Sequence, residues 1–187
     1  MTYIGNKGNI LDETPEHARL IKLRRPVLTD DELRQLQNFG VQGYHSHVLS
    51  CGFPAKGGEA ALRDALKTLA EEAVAAAKAG EHILILSDRD LPQGQAAIPS
   101  LLSCSAVNRA LVDAGLRPET GLIVQSGEVR EVMHFALLLG YGATAINPYL
   151  ALATVSALAN SGALGLDRKS TRLNSSHSGQ SRMPSSA

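Results

Sequence analysis

The chain has 187 residues, 44% hydrophobic and 19% charged, with 18 basic against 18 acidic side chains, the make-up of one ordinary globular domain rather than a disordered tail or a domain array. A formal charge of zero, with no basic cluster beyond Lys22-Leu23-Arg24-Arg25, excludes the electrostatic footprint of a nucleic-acid or anionic-membrane binder. Two cysteines, Cys51 and Cys104, are too few for a disulfide framework or a four-cysteine zinc site, and Met1-Thr2-Tyr3-Ile4-Gly5 lacks a signal peptide's basic start and apolar run, so the expected compartment is a reducing cytoplasm.

Thr14-Pro15 opens the first expected helix, Glu16 to Leu23, since threonine caps orphan amides and proline suits the first helical position. Thr29-Asp30-Asp31-Glu32 is a capping box, with Leu28 and Leu33 placed as a hydrophobic staple, and predicts a short helix ending near Asn38 to Gly40. Gly43 to Leu49 suggests a strand, with Tyr44, Ser46 and Val48 alternating against His45 and His47. Leu62, Leu66, Leu69, Ala73 and Ala76 recur at helical spacing and predict a long helix closed by Gly80. His82 to Asp88 is a continuous apolar run ending in polar residues, the pattern of a buried parallel strand. A helix from about Gln95 to Ala114 follows, then a strand at Leu122 to Ser126. The next helix starts at Glu128 and closes at Gly140, its core face marked by Val129, Val132, Met133, Ala136 and Leu137. Thr144 to Asn147 is the last strand and Tyr149 to Ala159 the last helix.

No charged residue occurs from Phe135 to Leu166, a length that would span a bilayer. Gly140, Gly142, Asn147 and Pro148 interrupt it, and Ala, Ser and Thr outnumber Leu and Ile, so no membrane segment is expected. From Asp167 the text DRKSTRLNSSHSGQSRMPSSA resembles the in-frame translation of a sequencing adapter. Residues 1–166 are therefore taken as a partial native domain, and residues 167–187 as a non-native, disordered tail. Setting aside its four basic residues and one acid leaves a formal charge of −3.

Alternating strands and helices predict the α/β class, a parallel sheet of βα units that is either open or part of a barrel, with helices packed on it. In such sheets chemistry collects at the carboxyl ends of the strands. The candidates there are Ser87, Asp88, Arg89, Ser126, Glu128, Arg130, His134 and Asn147. One arrangement brings Asp88, Glu128 and Asn147 together as acid, base and orienter. The plainer alternative has Ser87, Asp88 and Ser126 capping the following helices, Asp88 paired with Arg89 or Arg130, and His134 hydrogen-bonded within its helix. Gly5-Asn6-Lys7-Gly8-Asn9 and Gly57-Gly58 present backbone that suits a phosphate, though neither completes a fingerprint and turn chemistry accounts for both. His45, His47 and Cys51 suggest metal ligands only superficially. Cys104 reads as a small core residue, and no catalytic, cofactor or metal residue is assigned.

The segments Gly5-Asn6-Lys7-Gly8-Asn9-Ile10-Leu11, Thr14-Pro15-Glu16-His17 and Arg25-Pro26-Val27-Leu28-Thr29 resemble the central domain of the glutamate synthase large chain. So do Ile83-Leu84-Ile85-Leu86-Ser87-Asp88-Arg89, Ala97-Ile98-Pro99-Ser100-Leu101-Leu102, Ser126-Gly127-Glu128, His134 to Ala143 and Ala145 to Ala151. Met133, where relatives often have a second His, and Ala153, where many have Glu, depart from the pattern. The resemblance implies a parent oxidoreductase of nitrogen assimilation that makes glutamate from glutamine and 2-oxoglutarate. In it an N-terminal glutaminase domain releases ammonia, and a later barrel with FMN and an iron–sulfur cluster uses it. The central domain implied here is non-catalytic, binds no cofactor, and helps shape the ammonia path. Its partners would be the glutaminase and FMN-binding domains of the same chain, with electrons from a small NADPH-oxidising subunit or from ferredoxin. The rival expectation is a stand-alone α/β enzyme or small-ligand-binding module with its pocket at the strand ends.

Overall fold

The computed structural model describes residues 2–7, 11, 20–38 and 45–161. The helix start at Thr14-Pro15, the strand start at Gly43-Tyr44 and the tail at 167–187 lie outside the described residues. The chain divides into two compact units, 1–150 and 151–187.

Strands β1 (Thr2–Ile4) and β2 (Ile21–Leu23) pair antiparallel, with Thr2 opposite Leu23 and Ile4 opposite Ile21. The expected helix over Glu16 to Leu23 is thereby overturned at its carboxyl end. Lys22 is exposed while Leu23 is buried beside Ile4, the period of a strand. Helix α1 (Asp30–Gln37) starts where the capping box places it. Glu32 N–H donates to Thr29 Oγ1 at 3.2 Å, and Thr29 N–H donates to Glu32 Oε2 at 2.8 Å. Leu28 and Leu33 are both buried in one cluster, as the staple requires.

Four strands then make a parallel sheet: β3 (Ser46–Ser50), β5 (Ile83–Ser87), β7 (Gly121–Gln125) and β8 (Ala145–Asn147), in that spatial order. The expected alternation in β3 fails, because Val48 is exposed and Leu49 is the buried residue. The β8 edge is extended by Val27, which bridges Ile146 in parallel. Leu28 N–H reaches Ile146 O at 2.8 Å and Ile146 N–H reaches Pro26 O at 2.7 Å. Between sheet strands run α2 (Gly58–Lys78), α3 (Ser100–Asp113) and α4 (Val132–Gly140), and after β8 comes α5 (Tyr149–Asn160).

A small antiparallel pair, β4 (Gly52–Pro54) with β6 (Gln95–Ala97), corrects the helix expected from Gln95. The residue before a proline avoids the helical region. Accordingly the Ile98 N–H before Pro99 donates across to Cys51 O at 2.9 Å rather than within a helix, and α3 begins only at Ser100.

Strand pleating sorts the core into two layers. Leu84, Leu86, Leu122, Val124 and Ile146 face α2 and α3, meeting Leu69, Ala73, Cys104, Val107 and Leu111, with Leu138 of α4 in the same cluster. Ile83, Ile85, Ile123 and Ala145 form the other layer with Leu33 and Leu36 of α1 and Ile4 and Leu23 of the β1–β2 pair. A parallel sheet covered on both faces reads as continuous apolar runs, as β5 and β7 do. Gly121 allows this packing, since a Cβ there would collide with the Ile4 side chain.

Helix α4 departs most from expectation. Val132 and Met133 are 85% and 67% exposed and Leu137 is also exposed, while Val129 and Leu138 are buried. The helix begins at Val132 rather than Glu128, with Glu131 extended at its N-cap. Val-Met-His-Phe-Ala-Leu-Leu-Leu is apolar around most of its circumference, so periodicity cannot choose the buried side, and the connection from β7 chooses it instead. Among the described residues no helix is long and apolar enough to cross a membrane. The uncharged stretch from Phe135 is broken by Gly142, at φ +109°, and by β8.

Ile85 is fully buried in the central strand β5. Ile85→Ala is expected to destabilise the fold by about 3 kcal/mol, read as a lower urea midpoint at unchanged slope.

Candidate functional site

Strands β5, β7 and β8 end in register, which places Ser87, Gln125 and Asn147 side by side on the α1 face of the sheet. All three are buried, where polar atoms must find partners. They find one another. Ser87 Oγ donates to Gln125 Oε1 at 2.7 Å, and Gln125 Nε2 donates to Asn147 Oδ1 at 3.1 Å. Asn147 Nδ2 donates to Leu28 O at 3.0 Å and to Asp30 Oδ1 at 2.9 Å. Arg89 Nη1 donates to Asp30 Oδ2 at 3.0 Å, and Arg89 N–H donates to Ser87 Oγ at 3.2 Å, which closes a ring. Burial pushes the Asp30 carboxyl up, but hydrogen bonds from Asn147 and Arg89 and the charges of Arg89 and Arg34 outweigh it and hold the group below its ordinary value.

The loops beyond the strand ends form a second group. Asp88 accepts from Ser126 Oγ at 2.6 Å and from Gly127 N–H at 3.1 Å. The Tyr149 hydroxyl, pushed up to about 12 by burial and by the neighbouring Asp88 carboxylate, is hydrogen-bonded to that carboxylate. The Arg89 guanidinium lies 5.0 Å from the centre of the Tyr149 ring, a cation–π contact. Ser126 Oγ in turn accepts from Glu128 N–H at 3.1 Å.

A cleft of about 560 Å³ opens beside these loops, between the start of α3 and the inner side of α4. Pro99, Leu101, Val129, Leu137 and Leu138 give it apolar walls, and Ser100, Glu128, Arg130 and His134 are its polar lining. Glu128 Oε2 accepts from Ser100 N–H at 2.8 Å, so a carboxylate from the β7 end caps α3, a favourable place for negative charge. His134 Nδ1 accepts from Arg130 N–H at 3.2 Å.

The eight candidates of the sequence thus fall into three settings. Ser87, Arg89 and Asn147 belong to the ring, Asp88 and Ser126 to the loop clamp, and Glu128, Arg130 and His134 to the cleft. Asp88, Glu128 and Asn147 are committed to separate partners and do not form an acid, base and orienter set. Of the plainer alternative, His134 is hydrogen-bonded at the start of its helix. Asp88, however, binds Ser126 and Gly127 rather than an arginine, and the helix cap comes from Glu128, acting on the preceding helix. Sequence reasoning missed Gln125, Asp30, Ser100 and Tyr149. Gln125 was findable, as the one polar residue ending the strand Gly121–Gln125 in register with Ser87. The pairing of Asp30 with Asn147 spans 117 positions and leaves no local trace.

The weaker motifs resolve simply. Gly58, at φ +61°, makes the turn into α2. His47 is exposed and Cys51 buried, and among the described residues no three His, Cys, Asp or Glu side chains gather as metal ligands. Burial pushes the Cys51 thiol up to about 12 and the Cys104 thiol up to about 11.

Asn147→Ala would strip partners from Gln125, Asp30 and the Leu28 carbonyl at once, and a loss of about 2–3 kcal/mol is expected in urea unfolding. Because the folded-state value of Asp30 lies below its unfolded one, its contribution is present above the ordinary carboxylate range and lost as pH falls through the folded-state value. Asp30→Asn should therefore flatten the acid limb of a stability-against-pH curve.

The family model described as the glutamate synthase central domain matches residues 1–182. The glutamate synthase [NADPH] large chain of Azospirillum brasilense is 40% identical over 150 residues, covering 80% of this chain and 10% of the relative. The Bacillus subtilis large chain is 40% identical over 154 residues, with 82% and 10% covered. Ferredoxin-dependent glutamate synthase 2 of Synechocystis is also 40% identical, over 157 residues, with 82% and 10% covered. The chain spans about a tenth of the length of these curated relatives, and the segment is common to those named for NADPH and for ferredoxin. The chain belongs to the glutamate synthase central domain family.

Proposed function

We propose that this chain works as a non-catalytic coupling domain within a glutamate synthase, packed against the glutaminase and FMN-binding domains and helping to shape the path that ammonia takes between them. The observation that carries the reading is α4. Val132 and Met133, 85% and 67% exposed, form with the half-exposed Leu137 of the cleft wall an apolar surface, a pattern that marks a contact face. The strand-end polar groups support it in another way, since Ser87, Gln125, Asn147 and Asp30 are engaged with one another, and Asp88 with Ser126 and Gly127, rather than presented to a substrate. In this reading Glu128, Arg130 and His134 are contact residues at the rim of that face, the domain comprises residues 1–166, and the chain acts in the cytoplasm.

The cofactors implied for the parent do not fit the described residues. Iron–sulfur clusters take several thiolates, whereas Cys51 and Cys104 are buried within the hydrophobic core. The helix start that lines the cleft, a natural seat for a flavin phosphate, already holds the Glu128 carboxylate. Electron supply, through an NADPH-oxidising subunit or from ferredoxin, falls to other parts of the parent.

The 187-residue chain alone is expected to show neither glutaminase nor glutamate synthase activity, and turnover by it would overturn the reading. Grafted in place of the matching segment of the Azospirillum brasilense large chain, it should support glutamine-dependent glutamate formation. Met133→Asp in the graft should lower that rate about tenfold, the scale of one disrupted interface contact, with glutaminase turnover retained. Saturable binding of 2-oxoglutarate to the isolated chain, lost in Asp88→Ala, would instead favour a stand-alone ligand-binding module.

A further inference from the structure

At the opposite end of the sheet, where β7 and β8 begin, Arg117 sits in a setting that the coupling role leaves unexplained. Its Nε donates to Asn108 Oδ1 at 2.7 Å, Nη1 to Thr120 O at 2.5 Å and Nη2 to Gly142 O at 2.6 Å. All three acceptors are neutral, and among the described residues no carboxylate pairs with this guanidinium. Three contacts from three separate segments fix the plane of the fork. Gly142 is held close as well, since a Cβ there would collide with Asn108. A guanidinium carries five N–H groups, so two are left over.

Arg117 lines a cavity of about 360 Å³ together with Lys7, Tyr3, Thr120, Thr144 and the backbone of Gly5 and Gly121. Among the described residues that line it two are basic, Arg117 and Lys7, and none is acidic. Lys7 and Gly5, the latter at φ +134°, come from the Gly5-Asn6-Lys7-Gly8-Asn9 segment, whose composition suits a phosphate and which the coupling role does not use. Lys7 is anchored to the wall through its backbone, with its N–H donating to Pro118 O at 2.9 Å. Burying a cation without a counter-charge is unfavourable, and a guanidinium held rigid by three contacts keeps a fixed position in the cavity wall, ready for an anionic oxygen.

The geometry points to a binding site for a small oxyanion, a phosphate or a dicarboxylate, in the cavity between Arg117 and Lys7. The volume lies at the small end of the range for ligand pockets. Because Arg117 also holds Thr120 and Gly142, the entries to β7 and β8, an occupant there would stiffen the amino-terminal end of the sheet. The site is independent of the α4 surface and of the coupling role.

Inorganic phosphate and glutarate, titrated separately into the 187-residue chain at low ionic strength and followed by calorimetry and by the Arg117 Nε–H signal in NMR, test the site. Saturable binding of at least one is expected, with the tighter of the two assigning the ligand as phosphoryl or dicarboxylate. Lys7→Gln, which leaves the Arg117 clamp intact, should weaken binding about tenfold, the scale of one charge-assisted contact. Arg117→Lys should weaken it at least as much, and Lys56→Gln, remote from the cavity lining, should not alter it. Absence of saturable binding by either anion overturns the proposal, and so does binding that Lys7→Gln leaves unchanged or that Lys56→Gln weakens equally.

Discussion

Three polar side chains ending three adjacent strands cannot be left in a dry interior without partners, and the architecture around the sheet follows from that requirement. Ser87, Gln125 and Asn147 are in register, so each offers a neighbour what it lacks. The amide of Asn147 has a second proton to place, and Asp30 takes it at the start of α1. That bond ties the start of α1, set by its capping box, to one face of the sheet, beside the Val27 segment that meets β8. Arg89 then balances the charge of Asp30 and returns the chain of contacts to Ser87 through its own backbone. A slip of one residue in any of these strands would turn its polar group to the opposite face, and in β5 and β7 it would also turn Ile83, Ile85 and Ile123 away from α1.

Legibility followed the range of the interactions. The capping box at Thr29 to Glu32, the glycine stop at Gly80 and the uninterrupted apolar runs of β5 and β7 each depend on neighbours a few positions away, and these elements stand where the residues placed them. Gln95 to Ala97 carries no strong strand preference and pairs only because β4 lies alongside. Ile21 to Leu23 is a strand because Ile4 is opposite it. The buried side of α4 was invisible for a different reason, since a helix apolar on nearly all sides holds no phase information. At the candidate site, position at or just beyond a strand end was legible for seven of the eight residues, while His134 lies within α4. Their sorting into ring, clamp and cleft was not, because it depends on Asp30, Tyr149 and Ser100, which arrive from distant parts of the chain.

The two ends of the sheet are finished differently. At the carboxyl end, Arg89 balances Asp30 and the amides of Gln125 and Asn147 are satisfied locally, and the remaining surface is the apolar flank of α4 beside a cleft. At the amino end, Arg117 binds carbonyl and amide oxygens, and among the described residues no carboxylate pairs with it. A domain that only had to bridge its neighbours would need the first arrangement alone. The second adds an electrostatic bias close to the loops that start β7 and β8.

The bonds from Asn147 reach Leu28 and Asp30 across 119 and 117 positions, and this bears on how the domain emerges from the ribosome. Until β8 has been synthesised, Gln125 and Asp30 lack the group that joins them, and Val27 has no strand edge to bridge. The α2 and α3 side of the sheet can collapse earlier, since β3, β5 and their helices follow one another directly. Closure of the α1 face is therefore a late, high-contact-order event, and during translation the α1 segment stays exposed as a site for chaperones while most of the domain is already made.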